Sequence, residues 1–123
     1  MQIKESAENY LETILLLKQE KGSVRSIDIA HHMGFTKASV SVAMKNFRQE
    51  GYVTVDEDGE VLLTEKGEEI ARRIYERHQV ITRALISLGV SEETASKDSC
   101  KIEHDISEET FQCIKTYLDK RDA

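Results

Sequence analysis

The segment Cys100-Lys101-Ile102-Glu103-His104 contains a thiol, a carboxylate and an imidazole close together. On a helix, positions i, i+3 and i+4 share one face, so Cys100, Glu103 and His104 would project toward a common point. Thiolate and imidazole ligands suit borderline transition metals, whereas calcium and magnesium prefer oxygen. The segment therefore predicts a metal site. The ordinary alternative is an exposed Glu-His pair beside a cysteine that serves as a small core residue.

Further candidate ligands lie far away in the sequence. Asn9 and Glu12 stand three positions apart on a predicted first helix, and His78 lies among the apolar positions of a long one. Taken singly, Glu12 is explained as a solvated charge and His78 as a core histidine. If the helices pack as a bundle, the candidates converge between the two halves of the chain. The predicted metal ligands are Asn9, Glu12, His78, Cys100, Glu103 and His104.

The helices that hold these residues follow from the hydrophobic pattern. Apolar residues recur at three- and four-residue steps, the period of an amphipathic helix, over 4–18, 26–33, 37–50, 65–88 and from 107 onward. Ser91, followed by Glu92 and Glu93, predicts the N-terminus of a further helix that runs through about His104. Ser26 and Thr36 are predicted N-caps, and Gly34 suits the left-handed backbone of a tight turn. The pair 26–33 and 37–50 thus has the lengths and the turn of a helix-turn-helix.

After Gly51 the pattern alternates with a period of two over 52–55 and 60–63, and Asp58-Gly59 lies between these segments. Such alternation around an Asp-Gly turn predicts a β-hairpin. The predicted fold is mainly α with a small β-hairpin. Residues 1–64 form a winged helix-turn-helix DNA-binding domain, and residues 65–123 form a helical metal-binding and dimerisation domain whose long helix, 65–88, links the two.

The charge distribution allows a nucleic-acid partner despite a net charge of −6. The stretch 22–48 has four basic residues against Asp28 alone. Because the second helix of a helix-turn-helix enters the major groove with its N-terminus first, its early residues face double-stranded DNA. The predicted base-facing residues are Thr36, Lys37, Ala38, Ser39 and Val42, and the predicted phosphate contacts are Arg25, Lys37, Lys45 and Arg48. The alternative is an ordinary exposed helix surface.

Other classes of protein find little support. The sequence has no HExxH, nucleophile elbow or glycine-rich phosphate loop, which argues against an enzyme. The polar N-terminal segment 1–6 lacks a signal core, and the apolar run 14–17 is far too short to span a membrane. We therefore expect a cytoplasmic protein with no membrane partner. In that reducing compartment Cys100 and Cys113 are expected to be thiols.

Several short phrases, in this order and spacing, resemble the diphtheria toxin repressor family of metal-dependent transcriptional regulators. They are Glu8-Asn9-Tyr10-Leu11-Glu12-Thr13-Ile14, Asp28-Ile29-Ala30, Leu62-Leu63-Thr64-Glu65-Lys66-Gly67, Arg77-His78 and Ile102-Glu103-His104. The resemblance covers nearly the whole chain and is closest to the short manganese-regulator branch. The SH3-like domain of longer members is not expected in this chain. The resemblance implies a homodimer that binds a palindromic operator when Fe(II) or Mn(II) occupies a site between the domains.

By position, Glu12, His78, Glu103 and His104 match ligands of that family directly. Asn9 falls where the family has Asp or Met. Cys100 falls where the iron branch has Cys and the manganese branch has Glu. Such a mixed N/O/S site leans toward Fe(II), with Mn(II), Zn(II) and Co(II) also possible.

The resulting hypothesis is a metal-dependent transcriptional repressor that controls metal homeostasis. Dimerisation is expected to use apolar residues of the last two helices, namely Ile102, Ile106, Phe111, Ile114 and Leu118. The alternative is a metal-independent winged-helix regulator that senses redox change or a small molecule through Cys100 and Cys113.

Overall fold

A computed structural model describes residues 5–122 of the chain. Lys4, where the first helix was expected to begin, and most of the polar segment 1–6 lie outside the described residues. The elements are α1 (Glu5–Lys21), α2 (Ser26–Met33), α3 (Lys37–Gln49), β1 (Val53–Val55), β2 (Val61–Leu63), α4 (Glu65–Ser87), α5 (Glu92–Ile102) and α6 (Glu108–Arg121). This order confirms the predicted mainly α fold with a winged helix-turn-helix at its N-terminal end.

The chain divides into two compact units, residues 1–72 and 73–123, and the division falls within α4. In the first unit α1, α2, α3 and the hairpin enclose one apolar core. The fully buried side chains of this core are Leu11, Ile14, Val24, Ile29, Val40, Val53 and Val61. The Tyr10 and Phe47 rings meet edge to face, with their centroids 5.4 Å apart, and extend the core between α1 and α3.

Local capping fixes the helix-turn-helix. Gly34 has a φ of 70°, which confirms the predicted left-handed turn, and the Thr36 hydroxyl accepts a hydrogen bond from the Ser39 amide at 3.1 Å. The prediction that Ser26 caps α2 is wrong, because Ser26 is already the first helical residue. Instead, the Asp28 carboxylate accepts a hydrogen bond from the Arg25 amide at 2.9 Å. This bond, followed by contacts with Lys21, holds the pKa of Asp28 below its ordinary value.

The hairpin is tied to the loop between α1 and α2. Val53 pairs with Leu63 and Val55 with Val61, and the Val61 amide also donates to the carbonyl of Val24 at 2.7 Å. The Arg25 guanidinium donates to the carbonyl oxygen of Asp58 in the hairpin turn. These bonds hold the hairpin against the segment 24–25 within the first unit.

The second unit consists of the later part of α4 together with α5 and α6. Its core contains Val80 of α4 with Phe111 and Leu118 of α6, and the partly buried Ala84, Ile106 and Ile114 pack against it. The prediction that Phe111 supplies a dimerisation surface is therefore wrong, since its side chain is buried within its own unit. Within the described residues, no helix combines the length and apolar character needed to cross a bilayer.

Candidate metal centre

A buried carboxylate forms the middle of the candidate site in the second unit. Glu103 follows the last residue of α5 and caps that helix, and its side chain has no exposed surface. Its Oε2 atom lies 2.8 Å from Nδ1 of His78, which α4 supplies. The structure of this unit thus brings the side chains of His78 and Glu103 together.

Two further predicted ligands flank this pair. The Cys100 Sγ atom lies 3.8 Å from His78 Nδ1, and one ligand atom from each of His78, Cys100 and Glu103 lies within 4.8 Å of the others. His104 Nε2 lies 3.4 Å from the second Glu103 oxygen, Oε1, and the His104 side chain is only 1% exposed. Because α5 ends at Ile102, Glu103 and His104 occupy the turn that follows it rather than the predicted helical face.

The hydrogen-bonding state of Glu103 shows that these residues fit a cation. Although Oε1 is buried, it makes no hydrogen bond with any of the described residues, and His104 Nε2 approaches it only to 3.4 Å. A buried polar atom without a bonding partner is unfavourable. A divalent ion held by Glu103, with imidazole and thiol groups beside it, would satisfy that oxygen. The mixed N/O/S donor set matches a borderline transition metal.

Asn9 and Glu12 lie in the first unit, on α1, and both are partly buried. Their participation in the site stays a prediction. Sequence reasoning did not assign a role to two buried polar contacts beside the ligands. Thr82 donates to the hydroxyl of Ser99 at 2.8 Å, and Arg77 bonds to the turn that holds Glu103. The available signal was the position of Arg77, three residues after Ile74 on the buried face of α4.

The predicted DNA-facing residues lie in the first unit, and all of them are exposed: Arg25, Thr36, Lys37, Ala38, Ser39, Val42, Lys45 and Arg48. Val42 is 61% exposed, so its apolar side chain is accessible to a partner. Thr36 also donates its hydroxyl to Ser39 at 2.9 Å, so these two side chains form a small polar group at the start of α3.

Both halves of the chain match models of one protein family. Residues 2–61 match the N-terminal DNA binding domain of the iron dependent repressors, and residues 64–123 match their metal binding and dimerisation domain. The chain belongs to this family of metal-dependent transcriptional repressors. The match confirms the resemblance to the diphtheria toxin repressor family.

Individual relatives agree with this assignment. The transcriptional regulator MntR of Escherichia coli O6:H1 is 33% identical over 120 residues, which make up 98% of this chain and 77% of that protein. An uncharacterized HTH-type transcriptional regulator of Methanocaldococcus jannaschii is 32% identical and covers 96% of both chains. The structure of the manganese regulator SloR superposes with a TM-score of 0.80 at 25% identity, over 97% of this chain and 55% of that one.

The family assignment supports a metal-dependent repressor over the alternative, a metal-independent regulator that senses redox change or a small molecule through Cys100 and Cys113. Neither cysteine forms a disulfide within the described residues, and both are exposed. Cys100 lies beside His78, and Cys113 lines an apolar groove on α4 and α6. Membership in a family of transcriptional regulators also agrees with the absence of enzyme motifs in the sequence.

Proposed function

We propose that this chain represses transcription as a homodimer on a palindromic operator when Fe(II) or Mn(II) is bound through His78, Cys100, Glu103 and His104. The observation that carries the proposal is the buried Glu103 carboxylate, one oxygen of which has no hydrogen bond among the described residues. Asn9 and Glu12 are further ligands by resemblance to the family. The protein is proposed to act in the cytoplasm and to have no enzymatic activity.

The metal would supply positive charge to a buried carboxylate. The chain's own residues supply the donors: Glu103 an oxygen, His78 and His104 ring nitrogens, and Cys100 a thiolate once its proton is released. A ligand that binds better to the DNA-competent conformation increases the population of that conformation. By thermodynamic linkage, DNA then strengthens metal binding by the same factor.

The surface that is proposed for dimerisation shares Ile114 and Leu118 with the one expected from sequence, and it adds residues of α4. The α4–α6 groove, a depression of about 300 Å³, is lined by Ala84, Ser87, Leu88, Cys113, Ile114, Tyr117 and Leu118. Leu88 is 79% exposed and Tyr117 65% exposed, so a large apolar area faces solvent here. Burial of such area is the main favourable contribution to stable association. We propose that a second copy of the chain covers the α4–α6 groove.

The function is tested by measuring operator binding of the full chain under reducing, anaerobic conditions, with and without Fe(II) or Mn(II). We expect tight operator binding by the wild type only when metal is present. His104→Ala should bind the operator weakly both with and without metal. Asp105→Ala, an exposed neighbour in the same turn, is the matched control and should behave as wild type. Equal DNA binding with and without metal by wild type would contradict the proposal, and Cys113→Ser would then test the redox alternative.

A further inference from the structure

A buried arginine directly precedes His78 on α4. Arg77 is only 9% exposed, and its guanidinium is bonded to the turn between α5 and α6. Its Nη1 group donates to the carbonyl oxygens of Glu103, at 3.1 Å, and Ile106, at 2.9 Å. Its Nη2 group donates to Glu108 Oε2 at 2.9 Å. One side chain therefore holds the beginning and the end of the segment 103–108.

The Arg77 bonds act on the backbone that orients the candidate ligands. Helix α5 ends at Ile102, and the last carbonyl groups of a helix lack partners within it. The Ile102 carbonyl accepts bonds from the amides of Asp105 and Ile106, at 3.0 and 3.3 Å. Arg77 provides donors for the carbonyl groups of Glu103 and Ile106. Arg77 thus bonds directly to the backbone of Glu103, the residue whose side chain carries the buried carboxylate.

We propose that Arg77 is a positioning residue for the metal site, which fixes the turn 103–106 so that the Glu103 carboxylate faces His78. Arg77 and His78 are consecutive, so one turn of α4 carries both a ligand and the group that orients two others. This inference rests on the proposed function, because it assumes that His78, Glu103 and His104 bind a metal.

The charge balance around Arg77 agrees with this role. Its ion-pair partner is the exposed carboxylate of Glu108, not that of Glu103. A bond from Gln112, followed by the bond from Arg77, holds the pKa of Glu108 below its ordinary value and keeps Glu108 ionised. The Arg77 charge is therefore matched by Glu108. Arg77 thus bonds to the backbone of Glu103 and leaves the side-chain oxygens of Glu103 to face His78 and His104.

A purely stabilising role explains the arginine less well. Its Nε group is buried and makes no hydrogen bond with the described residues, which is unfavourable. Replacement of a buried ion pair by well-packed apolar residues is often neutral or stabilising. The geometry of three directed bonds to one turn, together with a guanidinium carbon 5.3 Å from the centre of the Phe111 ring, is better suited to fixing an orientation.

The test is a titration of the reduced full chain with Co(II), with affinity measured by chelator competition and coordination by visible absorption. Arg77→Met removes the three bonds but keeps an apolar stem against Phe111. We expect its affinity to fall about 10- to 100-fold, as for other groups that orient metal ligands. Arg77→Lys, which can still donate to both carbonyl groups, should recover part of the loss. Arg83 lies on the same helix as Arg77 and forms an exposed ion pair with Asp122. The Co(II) affinity of Arg83→Met should therefore stay within about twofold of wild type.

A second control separates positioning from stability. Leu118→Val loosens the core of the same unit without touching the turn, and it should lower the melting temperature while the affinity and the Co(II) spectrum stay unchanged. In metal-free protein, the ring nitrogen NMR signals of His78 should shift in Arg77→Met but not in Leu118→Val. If Arg77→Met does not fold, Arg77→Lys carries the test with a smaller expected loss.

Three outcomes would overturn the inference: wild-type Co(II) affinity in Arg77→Met, wild-type affinity in Arg77→Lys when Arg77→Met does not fold, or an equal loss in Leu118→Val. Failure of the wild-type chain itself to bind Co(II), Fe(II) or Mn(II) would contradict the proposed function instead, so the two failures are distinguishable.

Discussion

The Glu103 carboxylate lies 2.8 Å from Nδ1 of His78, a residue 25 positions earlier in the chain. Neither residue is informative by itself, because single glutamates and histidines at such positions are common in helices. Their contact joins α4 to the turn after α5 and brings the Cys100 thiol to within 3.8 Å of the same imidazole. It is this contact that converts a local sequence pattern into a candidate coordination site.

The thiol of Cys100 should determine which metals the site prefers. In Cys100→Ser we expect the thiolate-to-metal charge-transfer absorption of the Co(II) protein to disappear, because a serine hydroxyl is a much poorer ligand than a thiolate. Affinity for Zn(II) and Fe(II) should fall at least about tenfold, about 1.4 kcal/mol of binding free energy. Competition titrations measure both. Cys113→Ser is the control, and an unchanged Co(II) spectrum in Cys100→Ser would show that the thiol is not a ligand.

The Asp28 carboxylate should contribute to stability in a pH-dependent way. Its pKa in the folded chain lies below the ordinary value of 3.8, chiefly through the bond from the Arg25 amide. The unfolded chain therefore takes up a proton first as the pH falls, and the contribution is present above about pH 4 and lost in stronger acid. Asp28→Ala should lower the free energy of unfolding by about 1 kcal/mol at pH 7, the usual net contribution of one intramolecular hydrogen bond.

Urea unfolding of Asp28→Ala at pH 7 and near pH 3 measures this effect. The difference from wild type should shrink in acid. Glu20→Ala, an exposed acidic residue on α1, is the control and should change little at either pH. A deficit that is the same at both pH values would mean that the loss comes from packing and not from the ionised carboxylate.

Local rules predicted the helix-turn-helix well, because its determinants lie within a few residues of one another. Thr36 caps α3 and Gly34 takes a left-handed conformation, and neither depends on the rest of the fold. The prediction failed at the N-terminus of α2, where Ser26 is a residue type that favours the N-cap position. Arg25 occupies that position in an extended conformation, and its amide donates to the carboxylate of Asp28, the third helical residue.

The candidate site was predictable only in part, because some of its determinants are local in the sequence and others are tertiary contacts. The spacing of Cys100, Glu103 and His104 is visible in the sequence, whereas the bonds from Arg77 to residues 103 and 106 require the tertiary structure. Similarly, the burial of Phe111 depends on Val80 of α4, 31 positions earlier. No local pattern shows whether an apolar side chain on α6 is covered by its own chain or by a second copy.

The close packing of Gly67 against the hairpin should make any larger residue destabilising. A Cβ atom at this position would overlap the carbonyl oxygen of Tyr52, which is part of the backbone and cannot move independently. We expect Gly67→Ala to lower the free energy of unfolding by about 2 kcal/mol, as in other overpacked sites. In the same urea measurement Glu69→Ala, an exposed position on α4, should stay within about 0.5 kcal/mol. Equal stability of the two variants would show that the start of α4 can shift.

The α4–α6 groove should control the oligomeric state. A charge placed at the 79% exposed Leu88 would have to be buried in the proposed dimer without a partner, which is costly. Leu88→Glu should therefore be a folded monomer in sedimentation equilibrium at micromolar concentration, where wild type is a dimer. Lys120→Glu, an exposed position elsewhere on α6, should remain dimeric. A dimeric Leu88→Glu would place the interface on another surface.

Two exposed residues of α3 should affect different properties of DNA binding, one the overall affinity and the other the sequence preference. Lys37 is expected to contact phosphate, so Lys37→Ala should weaken binding to all sequences to a similar degree and reduce the slope of log K against log salt concentration by about one. The apolar side chain of Val42 is suited to a thymine methyl group. Val42→Ala should therefore lower operator affinity by about 1 kcal/mol per half-site with an unchanged salt slope.

Fluorescence anisotropy with operator and scrambled duplexes, at several salt concentrations and with saturating metal, distinguishes the two effects. Lys120→Ala on α6 is the control, since that residue lies outside the predicted DNA interface and should alter neither quantity. The assignment of roles on α3 fails if Val42→Ala weakens both duplexes equally, because a side chain that reads a base edge must discriminate between sequences.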